Sequence, residues 1–244
     1  MISYEKHGMR IFRLSDEQNH DGGGSLQERI SAYLHSLSCG QGAYLDSIRQ
    51  KAEAGGVPII RIEMESFLAS FLELVKPAAI LEAGTAVGYS SMLMAKLTEI
   101  SGCRIDTVEK DDSRFREACD NISASPWKNR IHPIHGDVQD VFHSLVTEGK
   151  KYDFIFMDAA KGQYIHYLPD AAALLRTGGV LVSDNVLQDM TILDSHFALE
   201  RRERTIHKRM RDYLYELTHH PGLLTTVVPI GDGAAVTIRK EDYA

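Results

Sequence analysis

Short apolar runs alternate with amphipathic segments through the middle of the chain. In the amphipathic segments the apolar residues recur at the spacing of one helix face. Strands and helices that alternate in this way predict parallel βαβ units, in which each helix crosses over a central sheet. The apolar runs lie at residues 79–81, 105–108, 131–134, 154–157 and 180–182.

The C-terminal part of the chain follows a different pattern. A long charged helix is predicted over about 195–218, and strand-like runs follow at 223–230 and 234–238. The connection between these runs, Gly231-Asp232-Gly233, is typical of a β-hairpin, so at least one strand should run antiparallel. We therefore predict a Rossmann-like, doubly wound α/β fold with a mostly parallel seven-stranded sheet and an antiparallel C-terminal hairpin.

The N-terminal part precedes the first predicted strand. Residues 1–25 are polar and end in a glycine run, which predicts a flexible tail before one domain over 26–244. Residues 26 to about 54 predict short amphipathic helices that cover one end of the sheet. A further helix should run from Met64 to Val75 and end before Pro77. The first two apolar faces comprise Ile30, Leu34 and Leu37, and then Leu45, Ile48 and Ala52.

Composition narrows the class of protein. A length of 244 residues with 43% hydrophobic and 25% charged residues suits one globular α/β domain. The net charge of -7 opposes a general nucleic-acid-binding surface and leaves room only for a local basic patch. Cys39, Cys103 and Cys119 lack metal-finger spacing, so reduced thiols and a cytoplasmic location are expected. We find no signal-peptide pattern and no membrane-spanning run, so we expect no membrane partner.

A glycine-containing turn, EAGTAVGYS over 82–90, follows the first predicted strand. Glycine lets a ligand approach the backbone at the carboxyl end of a strand, where open α/β sheets bind cofactors. The spacing departs from G-x-G-x-x-G, which argues against a nicotinamide-dependent oxidoreductase. Taken alone, the segment fits a tight structural turn equally well.

Acidic residues end the next two predicted strands. Glu109 can accept hydrogen bonds from both hydroxyls of a cofactor ribose, although a solvated carboxylate is the plainer interpretation. Asp137 follows the third strand and suits an adenine amine, although aspartate there is also a common helix N-cap.

The most specific pattern is a pair of polar motifs after the fourth and fifth strands. Asp158 follows one buried strand, and Asp184 and Asn185 follow the other, so these side chains should converge at one sheet edge. Carboxylate and amide oxygens suit Mg²⁺ or a similar divalent cation. Lys161 lies three residues beyond Asp158 and can reach the same edge. Aspartate and asparagine also favour turns for local reasons, an alternative weakened by the presence of both motifs.

These motifs resemble the metal-dependent O-methyltransferase family that includes the catechol and caffeoyl-CoA enzymes. The resemblance runs from about Leu26 to Arg239, and within the family it is greatest to the bacterial tRNA 5-hydroxyuridine methyltransferases. The segments that carry it are VPII (57–60), ILEAGTAVGYSS (80–91), DAAKGQY (158–164), SDNVL (183–187), RTIHKRM (204–210) and PIGDGAAV (229–236).

The resemblance implies roles for particular residues. Asp158, Asp184 and Asn185 would hold the metal, with Asp158 also near the methionine amino group, and Lys161 would act as a general base. The family often continues after SDNVL with a glycine-containing basic stretch, whereas this chain has Gln188-Asp189-Met190-Thr191. The residues implied to line an S-adenosylmethionine site are Val57, Glu82, Gly84, Ser90, Glu109, Asp137 and Val138.

The charged helix near the C-terminus divides into two faces. At a helical 100° per residue, its basic side chains form one stripe and its apolar ones lie roughly opposite. A solvated surface is the ordinary interpretation of such a helix. In an acidic protein that resembles tRNA-modifying enzymes, we predict that the stripe contacts tRNA phosphates. The stripe comprises Arg201, Arg204, Lys208 and Arg211, and the apolar side Ile206, Met210, Leu214 and Leu217.

The sequence leaves the acceptor open. The edge of 5-hydroxyuridine presents two adjacent oxygens, as catechol does, so the same metal site suits tRNA or a small catechol-like or acyl-CoA phenol. A non-catalytic RNA-binding protein is disfavoured by the complete set of predicted metal and base residues. We expect a homodimer, because the N-terminal helical segment could pair and members of the family commonly dimerise.

Overall fold

The computed structural model of the chain describes residues 26–188, 191–193 and 201–241. Seven strands form one sheet in the order β3-β2-β1-β4-β5-β7-β6. The first five strands pair in parallel, and β7 pairs antiparallel with both β5 and β6. This confirms the predicted α/β fold and its C-terminal hairpin. The strands are β1 (Ala79–Ala83), β2 (Arg104–Glu109), β3 (Ile131–His135), β4 (Tyr152–Met157), β5 (Leu175–Ser183), β6 (Leu223–Val228) and β7 (Ala234–Arg239).

Helices cover both faces of the sheet. Short 3-10 turns at Lys161–Gln163 and Thr191–Leu193 adjoin the loops that follow β4 and β5. Within the described ranges, no helix is both long and apolar enough to cross a membrane. The helices are α1 (Leu26–Ser36), α2 (Ala43–Ala54), α3 (Ile62–Val75), α4 (Tyr89–Leu97), α5 (Asp112–Ala124), α6 (Val138–Thr147), α7 (Tyr164–Leu174) and α8 (Arg201–His219).

The core has two halves, one on each side of the sheet. Successive side chains of a strand point to opposite faces, so the apolar runs of the central strands supply both halves. Phe154 and Phe156 of β4 pack with α2, α3 and α4, whereas Ile155 and Met157 pack with α6, α7 and α8. All four side chains are fully buried. Two-sided burial explains why these strands are apolar without alternation.

The N-terminal helices differ in how well they are covered. The predicted apolar face of α2 is buried, as expected for a helix over the sheet. The predicted face of α1 is not: Ile30, Leu34 and Leu37 are 44%, 38% and 50% exposed. Helix α1 packs mainly against α3, so its predicted apolar face stays largely uncovered.

Helix α8 packs largely by its predicted apolar face. Met210 and Leu217 are fully buried as predicted and Leu214 packs against the same core, while His207 and Tyr213 also belong to the packed face. Ile206 is 38% exposed, which contradicts its assignment to the packed side. The predicted helix start at 195 lies outside the described residues.

Candidate active site

A cavity of about 860 Å³ opens at the carboxyl ends of the parallel strands. Strands β1 and β4 are neighbours there. The sheet continues from β1 to β2 and β3 on one side, and from β4 to β5, β7 and β6 on the other. Open α/β sheets bind ligands in the crevice at such a point, because the loops on either side diverge. Eight of the sequence-predicted site residues line the cavity: Gly84, Ser90, Glu109, Val138, Asp158, Lys161, Asp184 and Asn185.

The glycine turn between β1 and α4 forms one wall of this cavity. Gly84 has φ of +98°, and a Cβ there would lie 2.1 Å from the backbone oxygen of Asp158. Only glycine fits, because two strand ends approach each other at that point. Ala86, in the same turn, has φ of 47°, a left-handed conformation that costs energy for alanine. The turn is thus held open toward the cavity and has no room for a side chain at Gly84.

Glu109 joins the end of β2 to the glycine turn. Its carboxylate accepts hydrogen bonds from the backbone N–H of Ala86 at 2.9 Å, Lys110 at 3.0 Å and Asp111 at 2.9 Å. These bonds fix the carboxylate in the cavity wall. A carboxylate held in this way can accept further hydrogen bonds from the hydroxyls of a ligand.

Three predicted cofactor residues lie away from the cavity lining. Val57 packs against the core beside Pro58, which does line the cavity. The Asp137 carboxylate accepts from the backbone N–H of Gln139 at 3.0 Å and caps α6. This is the helix N-cap role that the sequence also allowed. Glu82 is fully buried and accepts from the Thr107 hydroxyl at 2.5 Å. Their contact with a cofactor stays a prediction.

Glu82 has an unusual protonation equilibrium. Complete burial raises the pKa of its carboxyl to about 8, the hydrogen bond from Thr107 opposes this, and the negative charge of Asp158 adds to it. Burial therefore favours the protonated form of this carboxyl, which lies on β1 directly before the glycine turn.

The predicted metal residues meet at the ends of β4 and β5. The Lys161 ammonium lies 2.5 Å from Oδ1 of Asp158, on the short 3-10 turn that follows β4. Burial and the negative charge of Asp158 raise the pKa of Asp184 to about 7, and Lys161 opposes the rise. Asn185 has φ of 56°, so its backbone adopts the left-handed conformation that asparagine tolerates better than most residues.

Tyr164 ties these two strand ends together. Its hydroxyl lies 3.0 Å from the backbone oxygen of Met157 and 3.3 Å from that of Asp184, within hydrogen-bonding reach of both. The hydroxyl oxygen of Tyr164 also lies 3.4 Å from the ammonium of Lys161. The sequence contained this tyrosine at the end of DAAKGQY but gave no signal of its role, because the contacts depend on the pairing of β4 with β5.

The donor atoms suit a hard divalent cation. Two carboxylates and one amide oxygen border the same cavity, and carboxylate and carbonyl oxygens are preferred Mg²⁺ ligands. Among the described residues no cluster of three or more His, Cys, Asp and Glu side chains could hold a metal. The proposed set contains only two such residues, since its third member is Asn185.

Sequence reasoning missed several side chains that line the cavity. Asp232 and Arg61 meet across its rim, with an Arg61 Nη2 to Asp232 Oδ1 distance of 2.8 Å. His207 and Ile206 of α8 form part of its wall near Lys161. Asp232 lies inside the PIGDGAAV segment, but its position in the sequence gives no signal that it reaches the site.

Comparison with known proteins identifies the family of the chain. The profile of the O-methyltransferase family matches residues 35–240. A catechol O-methyltransferase from Niastella koreensis is 34% identical over 173 residues, which cover 69% of this chain and 77% of that protein. Another from Mycobacterium tuberculosis is 26% identical over 205 residues, covering 82% and 87% respectively.

A solved structure agrees over nearly its whole length. A Staphylococcus aureus protein provisionally described as a caffeoyl-CoA O-methyltransferase superposes with a TM-score of 0.79 at 29% identity. The match covers 86% of this chain and 99% of that one. The chain therefore belongs to the O-methyltransferase family of the catechol and caffeoyl-CoA type. It is an S-adenosylmethionine-dependent O-methyltransferase.

Proposed function

We propose that the protein methylates the 5-hydroxyl of 5-hydroxyuridine in tRNA, with the help of Mg²⁺ or a similar divalent cation. The observation that carries the proposal is the meeting of Asp158, Lys161, Asp184 and Asn185 in a cavity bordered by α8. Oxygen donors beside an amine suit an acceptor that presents two adjacent oxygens, one of which must lose a proton.

Each group of residues in the site has a separate proposed role. Asp158, Asp184 and Asn185 would hold the cation, which would lower the pKa of an acceptor hydroxyl and orient it. Lys161 would accept the departing proton as the neutral amine, or as the ammonium would stabilise the oxyanion that results, since its Nζ already lies at the ligand set. The glycine turn and Glu109 would hold the S-adenosylmethionine, which would supply the methyl group for transfer to the acceptor oxygen.

Helix α8 supports a tRNA acceptor. Glu203, Ile206 and His207 border the cavity, so α8 forms part of its wall. Lys208 is exposed and pairs with Asp212 at 2.6 Å, and Arg211 is exposed. Arg204 is half-buried, and the Arg201 side chain lies outside the described residues. Phosphate contacts from this stripe would supply affinity and salt dependence. The metal site would recognise the 5-hydroxyuridine base.

A small phenol is the second candidate acceptor. Two relatives, from Niastella koreensis and Mycobacterium tuberculosis, are both named catechol O-methyltransferase, and this favours a phenol as acceptor. The cavity volume of about 860 Å³ falls in the range of sites for small molecules, so its size does not argue against a phenol.

The deciding experiment offers both acceptors to one preparation. The chain is incubated with labelled S-adenosylmethionine and Mg²⁺, with hydroxyuridine-containing tRNA in one arm and catechol and caffeoyl-CoA in the other. We expect label in tRNA and a lower specificity constant for the phenols. Efficient methylation of catechol with none of tRNA would replace the tRNA proposal by the phenol alternative.

Charge reversal on α8 tests the tRNA surface separately. Changing Arg204, Lys208 and Arg211 to Glu should raise the KM for tRNA and flatten its salt dependence, while cofactor affinity stays the same. Each lost phosphate contact lowers the slope of log affinity against log salt by roughly 0.7 to 0.9. A matched control reverses three exposed charges elsewhere, Arg116, Lys128 and Lys150. Equal effects of both triple variants would contradict a specific surface.

We also propose that the protein is a homodimer that pairs through α1. Ile30, Tyr33, Leu34 and Leu37 expose between 38% and 64% of their surface on this helix, which is unusual for side chains of this size. Sedimentation equilibrium should give twice the chain mass of 27.3 kDa. Changing Tyr33 and Leu37 to Glu should give the monomer, and a monomeric wild-type chain would refute the proposal.

A further inference from the structure

The carboxylate of Asp232 joins two parts of the active site that are far apart in sequence. Its Oδ2 accepts from Nδ2 of Asn185 at 3.3 Å, and from Nη2 of Arg61 at 2.9 Å. The side chain of Asp232 is only 14% exposed, whereas that of Arg61 is 43% exposed. The carboxylate therefore lies between the predicted metal ligand Asn185 and the segment on the opposite rim of the cavity.

The backbone fixes Asp232 in this place. The N–H of Val186 donates to the oxygen of Gly233 at 3.0 Å, and the N–H of Leu187 donates to the oxygen of Asp232 at 2.8 Å. Gly233 has φ of +85°, and a Cβ on it would lie 2.3 Å from Cγ of Leu187. The turn between β6 and β7 is thus bonded directly to the loop that carries Asn185, in an arrangement that requires glycine at 233.

We propose that Asp232 is a positioning residue that sets the orientation of the Asn185 amide. A carboxylate can only accept, so the amide must turn its Nδ2 toward Asp232. The other end of the amide, Oδ1, is then directed away from Asp232 and is free to contact a cation. Partners of this kind orient metal ligands in many proteins. The inference rests on the proposed metal site.

Arg61 has a complementary part in this arrangement. Asp232 adds negative charge close to Asp184, which already lies beside Asp158. The ion pair with Arg61 offsets that charge and holds the Asp232 carboxylate toward the rim, so Asp232 serves the ligand set without joining it. The pair also connects the loop of Asn185 to residues 58–61, which line the cavity.

Metal binding tests the proposal without a turnover assay. Mn²⁺ is titrated into the chelator-treated full chain, and free Mn²⁺ is followed by electron paramagnetic resonance. Asp232→Ala should weaken Mn²⁺ binding by about 10-fold to 100-fold, the usual effect of losing such a partner. Asp153→Ala is the matched control, because Asp153 also pairs with an arginine, Arg176 at 2.7 Å, but at the start of β4. It should lower the unfolding temperature and leave Mn²⁺ affinity unchanged.

A reciprocal exchange provides the rescue. Asn185→Asp alone places two carboxylates against each other, and Asp232→Asn alone removes the anion that selects the amide orientation. Together they restore a donor and an acceptor in reverse, so the double variant should bind Mn²⁺ more tightly than the sum of the two separate changes predicts, whatever the sign of each. Additive changes would overturn the proposal even if Asp232→Ala does not fold.

The remaining outcomes are also decisive. Wild-type Mn²⁺ affinity in folded Asp232→Ala overturns the positioning role and leaves the proposed function intact. Complete loss of binding, equal to that of Asp184→Ala, makes Asp232 a ligand and also overturns the proposal. Absence of Mn²⁺ binding by the wild-type chain would overturn both the inference and the metal-dependent function.

Discussion

The ammonium of Lys161 lies 2.5 Å from the carboxylate of Asp158, one short turn further along the chain. Neither side chain is fully exposed, at 27% and 25% of its surface. The pair brings the predicted general base and a predicted metal ligand to one point of the cavity. A hydroxyl bound there would lie beside both side chains, and Lys161 would take its proton when present as the neutral amine.

Lys161→Ala should therefore lower turnover more than it weakens cofactor binding. General-base catalysis typically contributes about 10²-fold to 10⁴-fold, and a cation that already ionises the hydroxyl would reduce the loss. Rates across a pH series, with the dissociation constant of S-adenosylmethionine measured alongside, separate the two effects. Wild-type turnover at every pH would remove Lys161 from catalysis.

The carboxylates of the ligand set should be needed for activity and not for folding. Asp158→Ala and Asp184→Ala are expected to abolish methyl transfer with an unchanged circular dichroism spectrum. Asp184 is buried with a raised pKa, so its loss removes an unfavourable buried charge and not a core contact. EDTA should act in the same way and be reversed by Mg²⁺. Full activity in exhaustively chelated buffer would contradict the metal mechanism.

Glu109→Ala should weaken S-adenosylmethionine binding by about 1 to 3 kcal/mol, the usual cost of removing one partner from hydrogen bonds. The variant also removes the acceptor of the Ala86 N–H, so the glycine turn should loosen. Calorimetric titration gives the binding constant, and Glu109→Gln is the control that keeps the size of the side chain. An unchanged dissociation constant in both variants would place the ribose contact elsewhere.

Glu82 should make the stability of the cofactor-free protein fall as pH rises. Its pKa is about 8 in the folded state and near its ordinary value of 4.5 in the unfolded chain. Between these values the folded state holds the extra proton, so the free energy of unfolding decreases with rising pH. Below about pH 4.5 the carboxyl is protonated in both states, and this contribution to stability is fully present.

Glu82→Gln mimics the protonated carboxyl at every pH and should remove this dependence. Its stability relative to the wild type should increase between pH 5 and pH 8 by up to about 4 kcal/mol, at roughly 1.4 kcal/mol for each pH unit. Urea unfolding at the two pH values measures the difference. A constant difference between variant and wild type across this range would show that Glu82 is ionised in the folded protein.

The sequence by itself determined the layers of the fold and the chemical character of the site. Apolar runs that are buried on both faces, and helical periodicity between them, predicted every strand of the sheet and its antiparallel end. Parallel strands place their carboxyl ends at one edge, so Asp158 and Asp184 could be assigned to a common site from their positions after two strands.

Only the tertiary structure decided which side chains meet across distant parts of the chain. Asp137 caps α6, and its contact with a cofactor stays a prediction. Asp232 and Asn185 are 47 residues apart and meet because β7 lies beside β5, ahead of β6 in the sheet. Local periodicity specifies which face of an element is apolar, but strand order and helix placement determine what that face contacts. For the same reason, periodicity alone could not show that α1 leaves its apolar face uncovered or that His207 of α8 borders the cavity.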